Sequence, residues 1–221
     1  ADQDSVWQLA DVITTFIEPA LFAPGAAFSY SNTNYMLLGL IIETVSGMPY
    51  HEDIRERFLG PLALTSFNIP PYEPYTEPVA HVWLDTTGDG VPDDAHDFFS
   101  NWDSWFSSAG PAGSYFSTPA DVANWMHILM RGDLLSPAMM TSMKSTVTTP
   151  FPGGTKYGLG IMERNILNQK AWGHGGDAGY SASVWYFPGK DISIAVLNND
   201  GAKNSWTLIP TVSALLKSYE V

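Results

Sequence analysis

Cysteine is absent from the 221 residues, which excludes a disulfide framework, a thiol nucleophile and a Cys-ligated zinc site. Basic residues are scarce: ten Lys and Arg stand against 23 Asp and Glu, a formal net charge of −13. A surface of that sign repels phosphate, so a nucleic-acid or anionic-membrane partner is not expected, whereas neutral or cationic substrates are admitted. The five histidines show no metal-ligand spacing, and nothing in the chain calls for an organic cofactor. Long apolar runs are missing too. No window approaches the roughly 18 apolar residues of a membrane span, and Ala1-Asp2-Gln3-Asp4 does not open like a signal peptide, so the chain reads as mature or trimmed. What is present suits a packed core: 45% of the residues are hydrophobic and 13% aromatic. That suits one domain or two closely packed lobes; the expectation is a single domain over 1–221, which the patterning described below divides into a mainly helix and loop part over 1–165 and sheet strands with a terminal helix over 166–221.

The stretch from Pro24 to Glu43 organises the rest. A Pro-Gly turn leads into a short extended run, then Tyr30-Ser31-Asn32, then a helix apolar on nearly every face over 35–42, the pattern of a buried helix. A phenol and an amide therefore sit on a loop at the mouth of a rigid element, where catalytic groups are commonly mounted. The local alternative is an N-cap, with Ser31 or Asn32 accepting the first backbone N–H groups.

Val6, Leu9, Ile13, Phe16 and Ile17 fall at helical spacing and predict an amphipathic helix over 4–18, stopped by Pro19. A charged helix is expected from about Tyr50 to Phe58, then an irregular, ordered loop rich in Pro and Tyr over 67–84. Phe98, Phe99, Trp102, Trp105 and Phe106 form an aromatic cluster that suits either a cleft wall or a core. Ser117 or Thr118, with Pro119 behind it, caps a helix closed by Gly132 whose buried stripe is Val122, Trp125, Met126 and Leu129. Another helix is expected from Ser136-Pro137 to about Ser145. Strands are expected over 171–177, 180–187 and 191–198, the last two joined in a hairpin at Pro188-Gly189-Lys190-Asp191. A terminal helix carrying Trp206, Ile209, Val212, Leu216 and Tyr219 would cover them.

Two further segments carry chemistry. Asp85, Thr87, Asp89, Gly90, the Val91 carbonyl and Asp93 occupy positions 1, 3, 5, 6, 7 and 9 of a Ca²⁺-binding loop. His96 stands where such a loop has its bidentate glutamate. A structural Ca²⁺ is one reading, a solvated acidic turn the other. Gly173-His174-Gly175-Gly176-Asp177-Ala178-Gly179-Tyr180 sets glycines along a strand, which often marks the close approach of a ligand or another backbone. The local alternative is a glycine-rich bend with a surface histidine.

Tyr30-Ser31-Asn32 resembles the second motif of the serine β-lactamase and D-alanyl-D-alanine carboxypeptidase superfamily, nearest its class C and esterase branch. His174-Gly175-Gly176-Asp177, later in the chain and in the right order, resembles the third. The Ser-Thr-x-x-Asp helix start at Ser117 to Asp121 fits the same superfamily, and the resemblance runs from Pro24 to Asn199. It implies an α+β, β-lactamase-like fold and acyl transfer through a covalent serine ester. Tyr30 would be the proton shuttle, and Asn32 would hold a substrate amide or carbonyl. His174 would lie near a substrate carboxylate, Gly175 and Gly176 would line the substrate strand, and the Asp177 backbone N–H would give half of an oxyanion hole.

The superfamily's first motif, Ser-x-x-Lys, is missing: no lysine has a serine three places before it. Thr141-Ser142-Met143-Lys144 comes nearest, but it falls after Tyr30, on a late helix. The resemblance therefore implies the C-terminal two-thirds of a hydrolase, without its N-terminal strands and nucleophile helix, and inactive alone. Its expected partners are a β-lactam, D-Ala peptide or ester substrate and a second copy or an upstream fragment. The implied location is periplasmic or secreted. A non-catalytic module that keeps the cleft to bind a peptide or glycan is the alternative.

Overall fold

The computed structural model describes residues 5–74, 78–97 and 101–215. The chain divides into two compact units, Ala1–Ala80 with His96–Ser117, and His81–Ala95 with Thr118–Val221.

The first unit is helical. Helix α1 spans Leu9–Phe16 and is shorter than its periodicity predicts. Trp7 ahead of it gives its backbone N–H to Ser107 Oγ at 2.9 Å and its indole N–H to Ser104 Oγ, which draws residues 5–8 out of the helix. Leu9 and Val12 are buried, whereas Val6, Phe16 and Ile17 are exposed, a correction to the expected stripe.

Helix α2, Thr33–Ser46, ends on Gly47 in the left-handed conformation (φ 76°) that glycine adopts without a Cβ clash. Its inner face packs Met36 into a cluster with Leu9, Val12 and Tyr50. At Gly39 a β-carbon would stand 2.7 Å from Pro111 Cγ and 2.8 Å from Leu9 Cδ1, so only glycine allows this approach. The opposite face is not buried. Leu37, Leu38, Ile41 and Val45 are 42%, 50%, 56% and 81% exposed, and the expectation of a helix buried all round fails in this unit.

Helix α3, Tyr50–Ile54, continues into a π-helical turn over Arg55–Leu59. Arg55 reaches out of that turn to the Glu73 carboxylate and the Phe67 carbonyl, while Glu73 accepts from the Ile69 N–H. This bidentate pair ties Phe67, Ile69 and Glu73, at the start of the Pro- and Tyr-rich loop, to the turn. Helix α4, Trp102–Ala109, starts on an Asn101 side-chain cap and buries Phe106 edge-on against Phe116. Phe98 and Phe99 of the expected aromatic cluster lie outside the described residues.

The second unit is built on a six-stranded antiparallel sheet in sequence order. A small hairpin of β1 (Trp83–Leu84) and β2 (Asp93–Asp94) precedes it. Helix α5, Pro119–Arg131, follows, capped by Thr118 Oγ1 and closed by Gly132, as its sequence predicts. Helix α6 spans Pro137–Met143. The sheet strands are β3 (Val147–Thr148), β4 (Lys156–Tyr157), β5 (Met162–Ile166), β6 (Gln169–Ala178), β7 (Tyr180–Phe187) and β8 (Ile192–Asn198). Helix α7 occupies Ser205–Leu215; Leu216 and Tyr219 lie outside the described residues.

Adjacent residues of a strand point to opposite faces, and β7 uses both. Tyr186 joins Met126 and Met130 of α5 with Ile161 and Trp172. Trp185, fully buried, meets Trp206 of α7 edge-on at 5.7 Å. The sheet is thus covered by α5 on one face and α7 on the other. Ser181 Oγ accepts from the Ser205 N–H at 2.8 Å and pins the start of α7 to β7.

Candidate active site

Tyr30 and Asn32 flank the start of α2 in the first unit. Tyr30 is 43% exposed on a segment that belongs to no helix or strand. The capping alternative does not hold: Asn32 is already helical in φ and ψ, and α2 begins without a side-chain cap bond. Backbone carbonyls serve instead, that of Asn32 accepting from Tyr35 at 2.9 Å and from Met36 at 3.3 Å. The Asn32 side chain, exposed, is therefore not committed to the helix terminus.

His174, Gly175, Gly176 and Asp177 lie together on β6 in the second unit, paired with Val184, Ser183, Ala182 and Ser181 of β7. The hairpin turns at Gly179, whose φ of 81° and contact with Val82 both suit glycine. The two neighbouring glycines answer to different causes. A β-carbon at Gly175 would stand 2.5 Å from the Trp206 ring, whereas one at Gly176 meets nothing within 4 Å. Gly175 is fixed by packing; Gly176 borders open space, where a ligand would have access to the strand backbone. Asp177 is exposed, and its carboxylate accepts from Asn204 Nδ2 at 2.8 Å.

His174 is the half-buried titratable group of this strand. Its Nε2 lies 2.9 Å from the Tyr157 hydroxyl, with the two rings edge-to-face at 5.7 Å. Burial pushes the imidazole below its ordinary value, and a hydrogen bond to the Gly175 backbone opposes that shift. Sequence reasoning missed Tyr157 and Asn204, and it placed Trp206 on the covering helix without linking it to Gly175. Tyr157 carried a signal, an aromatic followed by Gly158-Leu159-Gly160 just ahead of a strand. Asn204, just ahead of α7, carried none, and the place of Trp206 against Gly175 appears only once folding brings α7 to β6.

In the Asp-rich loop, Asp85 accepts from the N–H groups of Gly88, Asp89 and Gly90. Asp93 accepts from both the N–H and the hydroxyl of Thr86, and those bonds hold its carboxyl below the usual range. Asp89 accepts from Val91 N–H at 2.8 Å. Among the described residues Asp85, Asp89 and Asp93 do not gather as three ligand atoms within 4.8 Å of one another.

Antiparallel strands covered by helices, with mainly helical segments ahead of them, make an α+β, β-lactamase-like fold. The chain belongs to the Beta-lactamase family, whose model matches residues 8–208. It is 29% identical over 196 residues to penicillin-binding protein 4 of Amycolatopsis lactamdurans, covering 83% of this chain and 50% of that protein. Among solved structures it resembles a D-stereospecific amidohydrolase from Streptomyces sp., with a TM-score of 0.80 and 29% identity over 94% of this chain and 61% of that one. It also resembles an octameric penicillin-binding protein homologue from Pyrococcus abyssi, with a TM-score of 0.80 and 28% identity over 96% of this chain and 48% of that one. The chain spans about half the length of the curated relatives it matches. No helix among the described residues is long and apolar enough to cross a membrane.

Proposed function

We propose that this chain is the substrate-strand and proton-shuttle portion of a serine hydrolase acting on a β-lactam, a D-Ala peptide or an ester. The observation that carries this reading is the family match over 8–208, with Tyr30-Ser31-Asn32 and His174-Gly175-Gly176-Asp177 in the family's order. A serine hydroxyl attacks the acyl carbonyl while Tyr30 takes its proton and passes it to the leaving group; water then releases the acyl group. Asn32 holds the substrate amide or carbonyl, His174 with Gly175 and Gly176 borders it, and the Asp177 N–H stabilises the oxyanion.

The nucleophile comes from polypeptide outside these 221 residues, since they contain no Ser-x-x-Lys. The outer face of α2 is the seat for that segment or for a second copy. A structural Ca²⁺ held by Asp85, Thr87, Asp89, the Val91 carbonyl and Asp93 belongs to the same proposal, as does a periplasmic or secreted location.

Intact mass spectrometry tests the chemistry. The chain incubated with a chromogenic cephalosporin or a short p-nitrophenyl ester should gain no acyl mass. Adding a family segment that bears Ser-x-x-Lys should restore acylation, and Tyr30→Phe should then slow it about 10²-fold or more, the usual scale for a general acid–base group. Acylation of the chain alone would overturn the assignment of the nucleophile. Equal acylation with Phe at position 30 would remove Tyr30 from the mechanism. Tight peptide or glycan binding without acylation in either form would favour the non-catalytic module.

A further inference from the structure

Arginine is scarce in this chain, and three of its four copies are matched to a carboxylate: Arg55 to Glu73, Arg57 to Asp53 and Arg131 to Asp191. Arg164, in the middle of β5, is not. Among the described residues its guanidinium has neither an ion pair nor a hydrogen bond, and its Nε is buried without a partner. Its neighbours are aromatic instead: the guanidinium carbon lies 5.6 Å from the Trp185 ring centre and 5.4 Å from that of Trp206. Ring faces attract a cation, yet they offer no oxygen to the five N–H groups of the planar fork. A half-buried charge left in that state costs free energy until a counter-ion meets it.

The register of the sheet separates this group from the His-Gly-Gly motif. Arg164 stands opposite Ala171 on β6, so it shares a face with positions 171, 173 and 175, whereas 174 and 176 belong to the other. Trp206, against which a β-carbon at Gly175 would collide, places α7 on the same face as Arg164. The 152–154 turn also reaches the fork. Gly153 has a φ of 73° there, and a β-carbon on it would stand 3.1 Å from Arg164 Nη2. Glycine suits the backbone, and its missing side chain leaves that edge of the guanidinium uncovered.

We propose that Arg164, set against the Trp185 and Trp206 rings, is a binding site for a carboxylate, which supplies the counter-ion that the described residues do not. Two carboxylate oxygens accept two parallel N–H bonds from an arginine fork, a planar match that a point charge lacks. Charge selects within the oxyanions. A chain at −13 opposes a dianionic phosphate more strongly than a singly charged carboxylate. The site lies on the α7 face of the sheet and stands apart from the hydrolase reading.

No acyl transfer is needed to test it. The 221-residue chain is labelled with ¹⁵N-arginine, and the Nε–H correlations are followed at neutral pH as sodium acetate replaces sodium chloride at constant ionic strength; the Arg164 signal is the one absent from Arg164→Gln. That signal should move along a saturable curve while those of the three paired arginines stay in place. Acetate should also raise the melting midpoint of wild type above its value in chloride, since only the native state holds the fork between the rings. Arg164→Gln should show no such rise, and Arg164→Lys, which keeps the charge and loses the fork, should lose most of it. An Arg164 signal that moves no further than the paired ones, or a wild-type midpoint equal in the two salts, overturns the proposal and leaves Arg164 as a cation–π contact alone. A full acetate response in Arg164→Lys removes the fork from the recognition. A larger shift in inorganic phosphate than in acetate overturns the choice of carboxylate.

Discussion

Gly175 and Gly176 are adjacent, yet different physics holds each in place. At Gly175 any side chain meets Trp206 of α7, so substitution forces the indole or the strand to move. Small-to-large changes of this kind cost about 1–3 kcal/mol in a packed site. At Gly176 nothing stands within 4 Å, and open positions usually respond within about 0.5 kcal/mol. Urea denaturation should therefore show Gly175→Ala clearly destabilised and Gly176→Ala close to wild type. Equal midpoints for the two variants would contradict the packing argument. The glycine row was legible in the sequence, and so was its place on a strand. Which glycine belongs to packing was not, because the deciding ring arrives from a helix far along the chain. His174 was legible as a candidate for the same reason as the glycines, whereas its contact with Tyr157, two strands away, was not, because no spacing rule connects them.

At the scale of elements, the sequence shows best where period and punctuation agree. The β7–β8 hairpin and α5 match their expected bounds closely because alternation, Pro-Gly turns and a Thr-Pro cap all mark them. Strand β5 escaped notice. Its Met162-Glu163-Arg164-Asn165-Ile166 is polar through the middle, and it is held instead by its neighbours: Lys170 pairs with Glu163 at 2.9 Å, and Arg164 lies over the Trp185 and Trp206 rings at 5.6 and 5.4 Å. Cross-strand pairs and cation–π contacts of this sort become visible only once the register is set. The Asp-rich loop lies between these cases. Its backbone N–H groups already converge on Asp85, and the Thr86 groups on Asp93. A bound cation would add a stabilisation that grows with ligand concentration, because only the native state binds it. Thermal melting in millimolar Ca²⁺ against chelator should raise the midpoint of the wild-type chain and leave Asp89→Ala unmoved. Identical wild-type midpoints would reduce the segment to a self-closed acidic turn.

At the scale of the whole molecule, two surface properties act against each other. Helix α2 turns Leu37, Leu38, Ile41 and Val45 to solvent, a contiguous apolar stripe of the kind that marks an interaction site. The chain also carries a net charge of −13, which opposes association of like copies through mutual repulsion. Salt weakens the second term without removing the first. The screening length falls from about 30 Å at 0.01 M to about 8 Å at 0.15 M ionic strength, while burial of apolar area is non-directional and continues to favour contact. Self-association of the purified chain should therefore strengthen as salt rises through this range, the reverse of an interface built on ion pairs. Sedimentation velocity at a fixed protein concentration reads it directly. Leu38→Glu with Ile41→Glu adds two charges to the exposed stripe and touches neither Met36 nor Gly39 on the packed face, so it should leave the fold intact and abolish the salt-promoted species. A dimer that persists in the double variant would place the contact elsewhere on the surface. A wild-type chain that stays monomeric at every salt concentration and carries no copurifying polypeptide would show that the outer face of α2 tolerates water, and the proposed seat would be lost.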